Sequence, residues 1–357
     1  MIFKQKRLWC VLLVPFSIFI TWLGHRNPHM VERWFSMGLY RFLTETYGRV
    51  FGYLPFSMFQ FLIVLVPLGL LCYIVYELYR RAFARLAVNT ACTVGVLWFM
   101  FTLGAGLNYA RVPFGETIGL QPRPSYAWEL AALTEIIVAQ VNGLSAQVER
   151  NEYGHMVVSA NSWAALSGEA RVIFRDAGEK WPVLRGFVPH TKPILYSHFM
   201  SRLRIVGVFT PWTLEPHVNV HVMDYHIPAT MLHELAHFRG IMREDEANFI
   251  AWLVGHHSEH PCFMYSSAML ALSYAAGQLH RVDRDAHARI MATLCRYAQI
   301  DRRANWEYWQ QFEGTLAEVS RAANDAYLRA QRQQDGVQSY GRVVDLLLEY
   351  FRDEITN

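Results

Sequence analysis

The sequence predicts a mainly helical α+β protein, in which three membrane-spanning helices precede a globular domain with a small β-sheet. Three long runs in the first third of the chain carry no charged residue. Beyond about residue 109 the composition is that of an ordinary globular domain, where short strand candidates precede a long succession of helices. The overall values of 53% hydrophobic and 18% charged residues therefore average two unlike parts.

The composition also excludes several classes of protein. A mean hydropathy of +0.10 is too low for a transporter that lies mostly in lipid. The net charge of +3 is small, so we expect no nucleic-acid partner. Five cysteines are too few for a disulfide scaffold. Cys262 and Cys295, the two that lie beyond the apolar runs, could pair in an oxidising compartment or remain free thiols.

The apolar runs predict transmembrane helices at about 8–24, 57–78 and 86–108. The second and third are long enough to cross ~30 Å of hydrocarbon at a rise of ~1.5 Å per residue. The first is short and contains Pro15, so a signal peptide is its main alternative. The stretch Gly24-His-Arg-Asn27 offers no small-x-small cleavage site, which favours an uncleaved anchor. For all three runs the alternative is a buried core helix of a soluble protein.

The loop at 25–56 has apolar residues at helical spacing, and most of its charged residues fall elsewhere around that helix. This pattern predicts an amphipathic helix. It would lie in the membrane interface or pack against the globular domain.

The basic residues predict which side of the membrane each part occupies. One group of Lys and Arg precedes the first run, and a second group fills the turn between the second and third. Because dense Lys and Arg mark the cytoplasmic side, we expect these groups inside the cell and everything after the third run outside. The chain then divides into a membrane anchor at 1–108 and an extracytoplasmic domain at 109–357. The residues of the two groups are Lys4, Lys6, Arg7, Arg80, Arg81 and Arg85.

The globular part begins with helices and then contains strands. A helix is predicted over Tyr126–Val148, and Ser162 is an N-cap candidate for a helix that runs to about Asp176. The alternation of Val and polar residues in His217–Val222 suggests a strand whose edge could bind an extended peptide. From Ile227 onward the sequence reads as helical. The strand candidates are Pro193–Tyr196, Ile205–Thr210 and His217–Val222.

The sequence His233-Glu-Leu-Ala-His237 is the clearest chemical signal in the chain. On a helix, residues i and i+4 share one face about 6 Å apart, so two imidazoles there can bind one zinc ion. Glu234 lies beside them and could take a proton from a zinc-bound water. Pro228 can begin the helix and Gly240 can end it. The alternative is a helix with two surface histidines and a glutamate.

A third protein ligand is expected shortly after Gly240. Glu244-Asp-Glu-Ala-Asn248 matches the Glu-x-x-Ala-Asp/Asn pattern that often carries the glutamate ligand of zinc peptidases, so we assign Glu244. Glu246 is the alternative ligand, and both could instead stabilise a helix N-terminus. Asn248 could hydrogen-bond a zinc-binding histidine, whereas Asp245 should point away.

With these motifs the chain resembles a family of uncharacterised bacterial membrane-anchored proteins classed as zinc metallopeptidases of the glutamate-ligand (gluzincin-like) type. The resemblance implies a zincin-like domain behind the membrane helices, in the bacterial cytoplasmic membrane. The sequence departs from the family pattern at Trp212–Asn219, where Leu214 replaces an expected glycine. The resemblance rests on Pro28–Ser36, Leu54–Ser57, Gly106–Tyr109, His233–His237 with Gly240, Arg243–Phe249 and Ser339–Leu347.

The expected function is that of a zinc-dependent endopeptidase, with a peptide or protein substrate that could be membrane-associated, and with the lipid bilayer as a second partner. A second donor should stabilise the oxyanion, and the candidates are Tyr265, Tyr340 and Arg342, although a helical tyrosine is more often a core residue. The cluster His256, His257 and His260 suggests an exposed helix end or an accessory metal site.

Two alternatives remain open at this point. One is a non-catalytic, zinc-stabilised membrane sensor or assembly factor. The other is a zinc amidase that acts on a non-peptide or cell-wall amide.

Overall fold

A computed structural model describes residues 9–158, 162–333 and 342–356 of the chain. Over these residues the protein is mainly helical and contains one three-stranded sheet. The predicted fold class, mainly helical with a small sheet behind N-terminal apolar helices, is confirmed at this level.

The chain forms two compact units. The first consists of Met1–Val112 together with Phe209–Glu215, and the second consists of Pro113–Val208 together with Pro216–Asn357. The break at Val112 lies close to the end of the predicted membrane anchor. The sequence did not predict that the short insert Phe209–Glu215 belongs to the first unit.

The first unit is built from helices. Short 3₁₀ helices lie at Trp9–Leu12 and Gly106–Ala110, and a π-helix spans Val31–Tyr40. The α-helices are α1 (Leu13–Arg26), α2 (Pro28–Met30), α3 (Arg41–Glu45), α4 (Tyr47–Tyr53), α5 (Met58–Tyr79) and α6 (Phe83–Gly104).

Three of these segments are long and apolar enough to cross a membrane. They are Trp9–Arg26, Met58–Tyr79 and Phe83–Gly104, with mean hydropathies of 1.3, 2.4 and 1.7. Many of the large apolar side chains of α5 are exposed, as a lipid-facing helix requires. These segments support association with a membrane.

A glycine lets the first and third of these segments approach closely. A Cβ atom added to Gly95 of α6 would lie 2.2 Å from the carbonyl oxygen of Cys10. Small residues at such crossings allow apolar helices to gain van der Waals contact where no hydrophobic driving force exists between them. The close crossing of these two segments therefore requires a residue without a side chain at position 95.

The segment from α2 to α4 has two different faces. Val31, Phe35 and Tyr40 are buried, whereas Trp34 and Phe42 are 68% and 61% exposed. The sequence pattern predicted an α-helix here, but Val31–Tyr40 is a π-helix. The exposed apolar face fits the predicted interfacial helix, and the buried face fits the predicted alternative of a packed helix.

The insert Phe209–Glu215 is held within the first unit by polar contacts. The indole Nε1 of Trp212 donates to the carbonyl of Leu97 at 3.1 Å. The two carboxylate oxygens of Glu215 accept from the backbone N–H groups of Met58 and Phe59 at 3.0 and 2.9 Å. Glu215 therefore caps the N-terminus of α5, where a carboxylate also favours the helix dipole.

The second unit contains most of the sheet and the remaining helices. Further 3₁₀ helices lie at Pro182–Leu184 and Asp224–His226. The α-helices are α7 (Phe114–Thr117), α8 (Ala127–Ser145), α9 (Trp163–Lys180), α10 (Ser197–Arg202), α11 (Ile227–Phe238), α12 (Glu244–His256), α13 (Pro261–Val282), α14 (Arg284–Met291), α15 (Arg296–Gln310), α16 (Thr315–Ala330), α17 (Arg342–Tyr350) and α18 (Arg352–Thr356).

The sheet consists of β1 (Lys192–Pro193), β2 (Gly207–Thr210) and β3 (Glu215–Val218), in the order β1-β3-β2. β1 pairs with β3 in parallel, with Lys192 opposite His217. The prediction that His217–Val222 forms an exposed edge strand is wrong. β3 is the central strand and is fully buried, because it is covered on both faces and paired on both sides.

The core of the second unit surrounds α12. From Asp245 to Gly255 every residue of this helix is buried, which is typical of a helix enclosed by others. Neighbouring α11, α13, α9 and α17 pack around it. Ser162 caps α9 as predicted, since its hydroxyl accepts from the N–H of Ala165 at 3.2 Å.

The five cysteines of the chain are free. Cys262 is buried in the core of the second unit. The thiol of Cys295 donates to the hydroxyl of Ser145 at 3.1 Å. In this structure the two residues thus lie in separate environments and are not bonded to each other.

Candidate metal centre

The His-Glu-Leu-Ala-His sequence forms the C-terminal half of α11, as its spacing predicts. Pro228 occupies the first turn of the helix, where its missing N–H costs nothing. The rings of His233 and His237 lie 4.6 Å apart between centroids. The helix therefore presents both imidazoles on one face.

A tight turn after α11 brings the next helix back toward these imidazoles. Gly240 has a φ of +81°, the left-handed conformation that glycine adopts without strain. The N–H of Ile241 donates to the carbonyl of Ala236 at 3.1 Å, which completes the cap. Glu244 is the first residue of α12 and follows the turn directly.

The three predicted ligands meet in one cluster. The Nε2 atom of His233 lies 3.4 Å from Oε2 of Glu244, and Nε2 of His237 lies 3.5 Å from Oε1. One potential ligand atom of each residue lies within 4.8 Å of the others. Within the described ranges this is the only group of three or more His, Cys, Asp or Glu residues that could hold a metal ion.

The other ring nitrogens of both histidines have fixed partners. Nδ1 of His233 lies 3.0 Å from Oδ1 of Asn248, and Nδ1 of His237 lies 2.7 Å from the carbonyl oxygen of Ile241. Both partners are acceptors, so each Nδ1 carries a proton and Nε2 is the ring nitrogen that faces the cluster and could bind a metal ion once it is deprotonated. Metal-binding histidines are oriented in this way in known sites. The donor set therefore fits a zinc ion.

Asn248 is itself held in the orientation that this arrangement needs. Its amide nitrogen donates to the carbonyl of Glu244 at 2.8 Å. Its amide oxygen is thereby turned toward His233. The predicted role of Asn248 as a partner of a metal-binding histidine agrees with this geometry.

Glu234 lies beside the cluster in a buried position, with 3% of its surface exposed. Its Oε2 atom has no hydrogen-bond partner among the described residues. Burial raises the pKa of Glu234 to about 7; the nearby histidines oppose the rise and Glu244 adds to it. A carboxyl with a pKa near neutrality suits a group that accepts and returns a proton.

The electrostatics of the ligands follow from their mutual contacts. Burial alone would lower the pKa of His237, but its hydrogen bond to Glu244 and the charges of Glu244 and Glu234 raise it to about 9. Burial alone would raise the pKa of Glu244, but hydrogen bonds to the two histidines hold it well below its ordinary value. Without a metal ion, the Glu244 carboxylate thus carries its charge and stabilises a proton on His237.

The two acidic neighbours of Glu244 have other partners. Oε1 of Glu246 accepts from the backbone N–H of Phe114 at 2.9 Å and from Arg243 at 3.0 Å. Oδ2 of Asp245 accepts from Arg342 at 2.8 Å. The structure therefore favours Glu244 over the alternative ligand Glu246, and it directs Asp245 away as predicted.

The predicted oxyanion donors are not gathered at the cluster. The hydroxyl of Tyr265 donates to Asp301 at 2.6 Å, beside the guanidinium of Arg150. Arg342 pairs with Asp245, and Tyr340 lies outside the described residues. Their role as second donor stays a prediction.

The histidines at the end of α12 and after it, His256, His257 and His260, do not form a second metal-binding group among the described residues. Nε2 of His257 lies 2.7 Å from the hydroxyl of Tyr350, and the amine of Lys180 lies 3.3 Å from both ring nitrogens. Burial, together with the charge of Lys180, lowers the pKa of His257 to about 4. The ammonium group of Lys180 would repel a metal cation bound at His257. These contacts therefore favour the interpretation of the cluster as a helix end over that of an accessory metal site.

Two residues near the cluster carried no signal in the sequence. Burial and then the charge of Glu244 raise the pKa of Tyr274 on α13, so this phenol lies within the field of the ligand carboxylate. Gly207 of β2 approaches the carboxylate of Glu234, because an added Cβ atom would lie 2.3 Å from Oε1. Both lie about thirty residues from the His-Glu-Leu-Ala-His motif, so residue spacing along a helix or strand could not predict that they approach it.

The family model described as "Protein of unknown function (DUF3810)" matches residues 35–348, which is most of the chain. The chain belongs to the DUF3810 family. The matched range includes all three residues of the candidate metal site. Comparison with curated proteins and with solved structures gave no match. Membership in the DUF3810 family therefore assigns no activity to the chain.

Proposed function

We propose that this DUF3810 protein is a membrane-anchored zinc-dependent endopeptidase with a zincin-like catalytic domain. The observation that carries the proposal is the convergence of His233, His237 and Glu244, whose potential ligand atoms lie within 4.8 Å of one another. Two nitrogens and one carboxylate oxygen are the ligand set of many catalytic zinc sites, and three protein ligands leave a position for water. The resident ion is expected to be a single Zn²⁺.

Bound zinc would polarise the scissile carbonyl and increase the acidity of a water molecule. Glu234 is the residue of this chain that is placed to accept the proton. Its carboxylate is buried beside the ligands, and its Oε2 atom has no other partner among the described residues. After receiving the proton at a carboxylate oxygen, Glu234 can deliver it to the leaving amine. Asn248 and the carbonyl of Ile241 keep the two imidazoles in one tautomer throughout.

The position of β2 supports a peptide as the substrate. β2 is an edge strand of the sheet, and its first residue, Gly207, lies against Glu234. An extended peptide that adds to such an edge forms main-chain hydrogen bonds along the strand. Peptide bonds of the substrate would then pass close to the carboxylate. This assignment replaces His217–Val222, the strand favoured by the sequence pattern.

The location proposed for the protein is the bacterial cytoplasmic membrane, with the catalytic domain on the extracytoplasmic side. Three helices with the length and hydropathy of membrane spans support the membrane. The basic groups before the first span and between the second and third support the side. A substrate in the membrane or close to it would be within reach of an anchored enzyme.

Glu234→Gln is the variant that tests this function. The full-length protein in detergent micelles, loaded with zinc, would be incubated with a random peptide library and the products read by mass spectrometry. The wild-type protein should cleave peptides, and Glu234→Gln should retain zinc but lose cleavage by ~1,000-fold or more, as loss of a general base requires. Glu135→Gln, on the exposed face of α8, is the matched control and should cleave normally.

Undiminished cleavage by Glu234→Gln would overturn the proposed mechanism. Zinc binding without cleavage of any peptide would instead favour the sensor or assembly factor. Cleavage confined to cell-wall amides would favour the amidase.

A further inference from the structure

A contact between β2 and α11 lies at the proposed catalytic glutamate. A Cβ atom built on Gly207 would lie 2.3 Å from Oε1 and 2.9 Å from Cδ of Glu234, and 2.8 Å from Cγ2 of Thr230. Real Cβ atoms do not approach other heavy atoms below 3.0 Å. Position 207 therefore excludes any side chain in this arrangement.

The backbone conformation does not explain the glycine. Gly207 is absent from the glycines with positive φ, which include Gly186 and Gly240, and it lies within a regular strand. Other residues adopt strand conformations more readily than glycine does. The space beside Glu234, and not the backbone, is what requires glycine here.

The strand on either side of Gly207 is fixed. The carbonyl of Val206 accepts from the N–H of Asn219 at 2.9 Å. The carbonyl of Val208 lies 3.3 Å from Nδ1 of His217. Because both flanking residues are tied to the β3 region, β2 cannot move away from α11 without losing these bonds.

Thr230 is fixed as well. It lies one turn before Glu234 on the same face of α11, and its hydroxyl donates to the carbonyl of His226 at 2.8 Å. This bond sets the rotamer and directs the methyl group. If a side chain were added at position 207, the Glu234 carboxylate is therefore the neighbouring group that would move.

We infer that Gly207 is a positioning residue for the proposed reaction: by lacking a side chain, it lets the strand close on Glu234 and fixes the distance of that carboxylate from the metal ligands. This inference rests on the proposed function for its catalytic meaning, whereas the steric contact is independent of any activity. A methyl group at position 207 would displace the carboxylate and leave the three ligands untouched.

A thermal double-mutant cycle tests the contact without any substrate. Wild-type, Gly207→Ala, Glu234→Ala and the double variant would be unfolded as full-length, metal-free proteins in detergent micelles. Gly207→Ala should lower the Tm by about 5 °C, because the added methyl group would overpack the contact with Glu234 and Thr230. In the Glu234→Ala background it should lower the Tm by less than half as much, because only the contact with Thr230 remains.

Gly277→Ala is the control for glycine replacement itself. An added Cβ atom at this helical position meets no atom within 4 Å, so the Tm should stay constant or rise slightly. Equal losses for Gly207→Ala in both backgrounds, or no loss in either, would overturn the inference. A Gly207→Ala protein that fails to fold but is recovered by adding Glu234→Ala would support it.

The effect of Gly207→Ala on catalysis is measured in a separate experiment. Zinc-loaded Gly207→Ala should retain one zinc ion per chain, and its kcat for library peptides should fall ~100-fold at a similar KM, as misplacement of a reacting group by about 1 Å predicts. Retained zinc with wild-type kcat would overturn the positioning role even if the thermal cycle shows coupling. If the wild-type protein cleaves nothing, the proposed function fails while the thermal cycle still decides the contact.

Discussion

The Nε2 atom of His233 lies 3.4 Å from the Oε2 atom of Glu244, the first residue of the following helix. The Gly240 turn between α11 and α12 produces this approach, because its left-handed backbone reverses the chain within a few residues. Once the two helices face each other, His237 meets the second oxygen of the same carboxylate. The order of helix, glycine turn and acidic helix start thus suffices to build the whole candidate ligand set.

Glu244 and Glu246 should respond differently to replacement by alanine. Glu244→Ala removes one of three ligands, so zinc content after dialysis should fall below about a tenth of the wild-type value. Glu246→Ala leaves the ligands in place and removes the acceptor for Phe114 N–H, so it should lower the Tm while zinc content stays near one ion per chain. Elemental analysis of both proteins measures this, and the reverse order would show that the ligand assignment is wrong.

Asn248 should increase the affinity for zinc without being a ligand itself. Asn248→Ala removes the acceptor that orients His233, so zinc affinity should fall 10- to 100-fold, roughly the usual effect of losing such a partner. Asn142→Ala is the matched control, since its side chain bonds to the backbone of Thr293 and Cys295. It should cost stability and leave zinc affinity unchanged. Competition with a chelator measures both, and equal affinity for Asn248→Ala and wild type would contradict the assigned role.

The metal-free protein should lose stability as the pH rises through the neutral range. The folded-state pKa of His237 is raised from 6.5 to about 9, so its contribution is full below ~6.5 and lost as the pH rises through about 9. Glu234 acts in the same direction, since its raised pKa of about 7 means that its contribution is lost as the pH rises through that value. Thermal unfolding from about pH 7 to about pH 9 tests this, because His226 and His257, whose pKa values are lowered to about 4, stay neutral over that range. A Tm that stays level or rises would contradict it.

Zinc affinity should show the opposite trend. A zinc ion needs the unprotonated imidazole of His237, so binding must release the proton that Glu244 helps to hold. The apparent affinity should therefore increase with pH until about 9, the raised pKa of His237. Chelator competition at several pH values would measure it. An affinity that does not change between about pH 6 and about pH 8 would argue against His237 as a ligand.

The side of the membrane can be tested with fusions after Asn357. Three spans and a basic N-terminus place this end outside the cytoplasm. A periplasmic alkaline phosphatase reporter fused there should be active, and a cytoplasmic β-galactosidase reporter should not. A fusion after Arg81, in the turn between the second and third spans, should give the reverse pattern. β-Galactosidase activity from the C-terminal fusion would overturn the proposed orientation.

The sequence predicted the elements that depend on local rules. The two histidines of α11, the Gly240 turn and the Glu244 carboxylate could all be found because their signals lie within sixteen residues, from His233 to Asn248, and each has a local physical cause. The candidate spans were found because length and hydropathy alone define them.

The elements that depend on long-range contact were not predicted. His217–Val222 alternates like a half-exposed strand, but the strand begins at Glu215 and is enclosed, since its burial comes from β1, β2 and the helices around it. The approach of Gly207 to Glu234 joins residues far apart in the chain. Leu214, where the family resemblance leads one to expect glycine, has a φ of +51°, in the left-handed region that glycine adopts without strain.

The most direct test of the central claim is X-ray absorption at the zinc edge on the full-length, zinc-loaded protein. We expect one tightly held zinc ion with about four light-atom neighbours, namely two imidazole nitrogens at ~2.0–2.1 Å and oxygens at ~2.0–2.2 Å. The imidazole signal should be lost in His233→Ala. A sulfur shell at ~2.3 Å, a shell without imidazole, or a protein that retains no zinc would contradict the account.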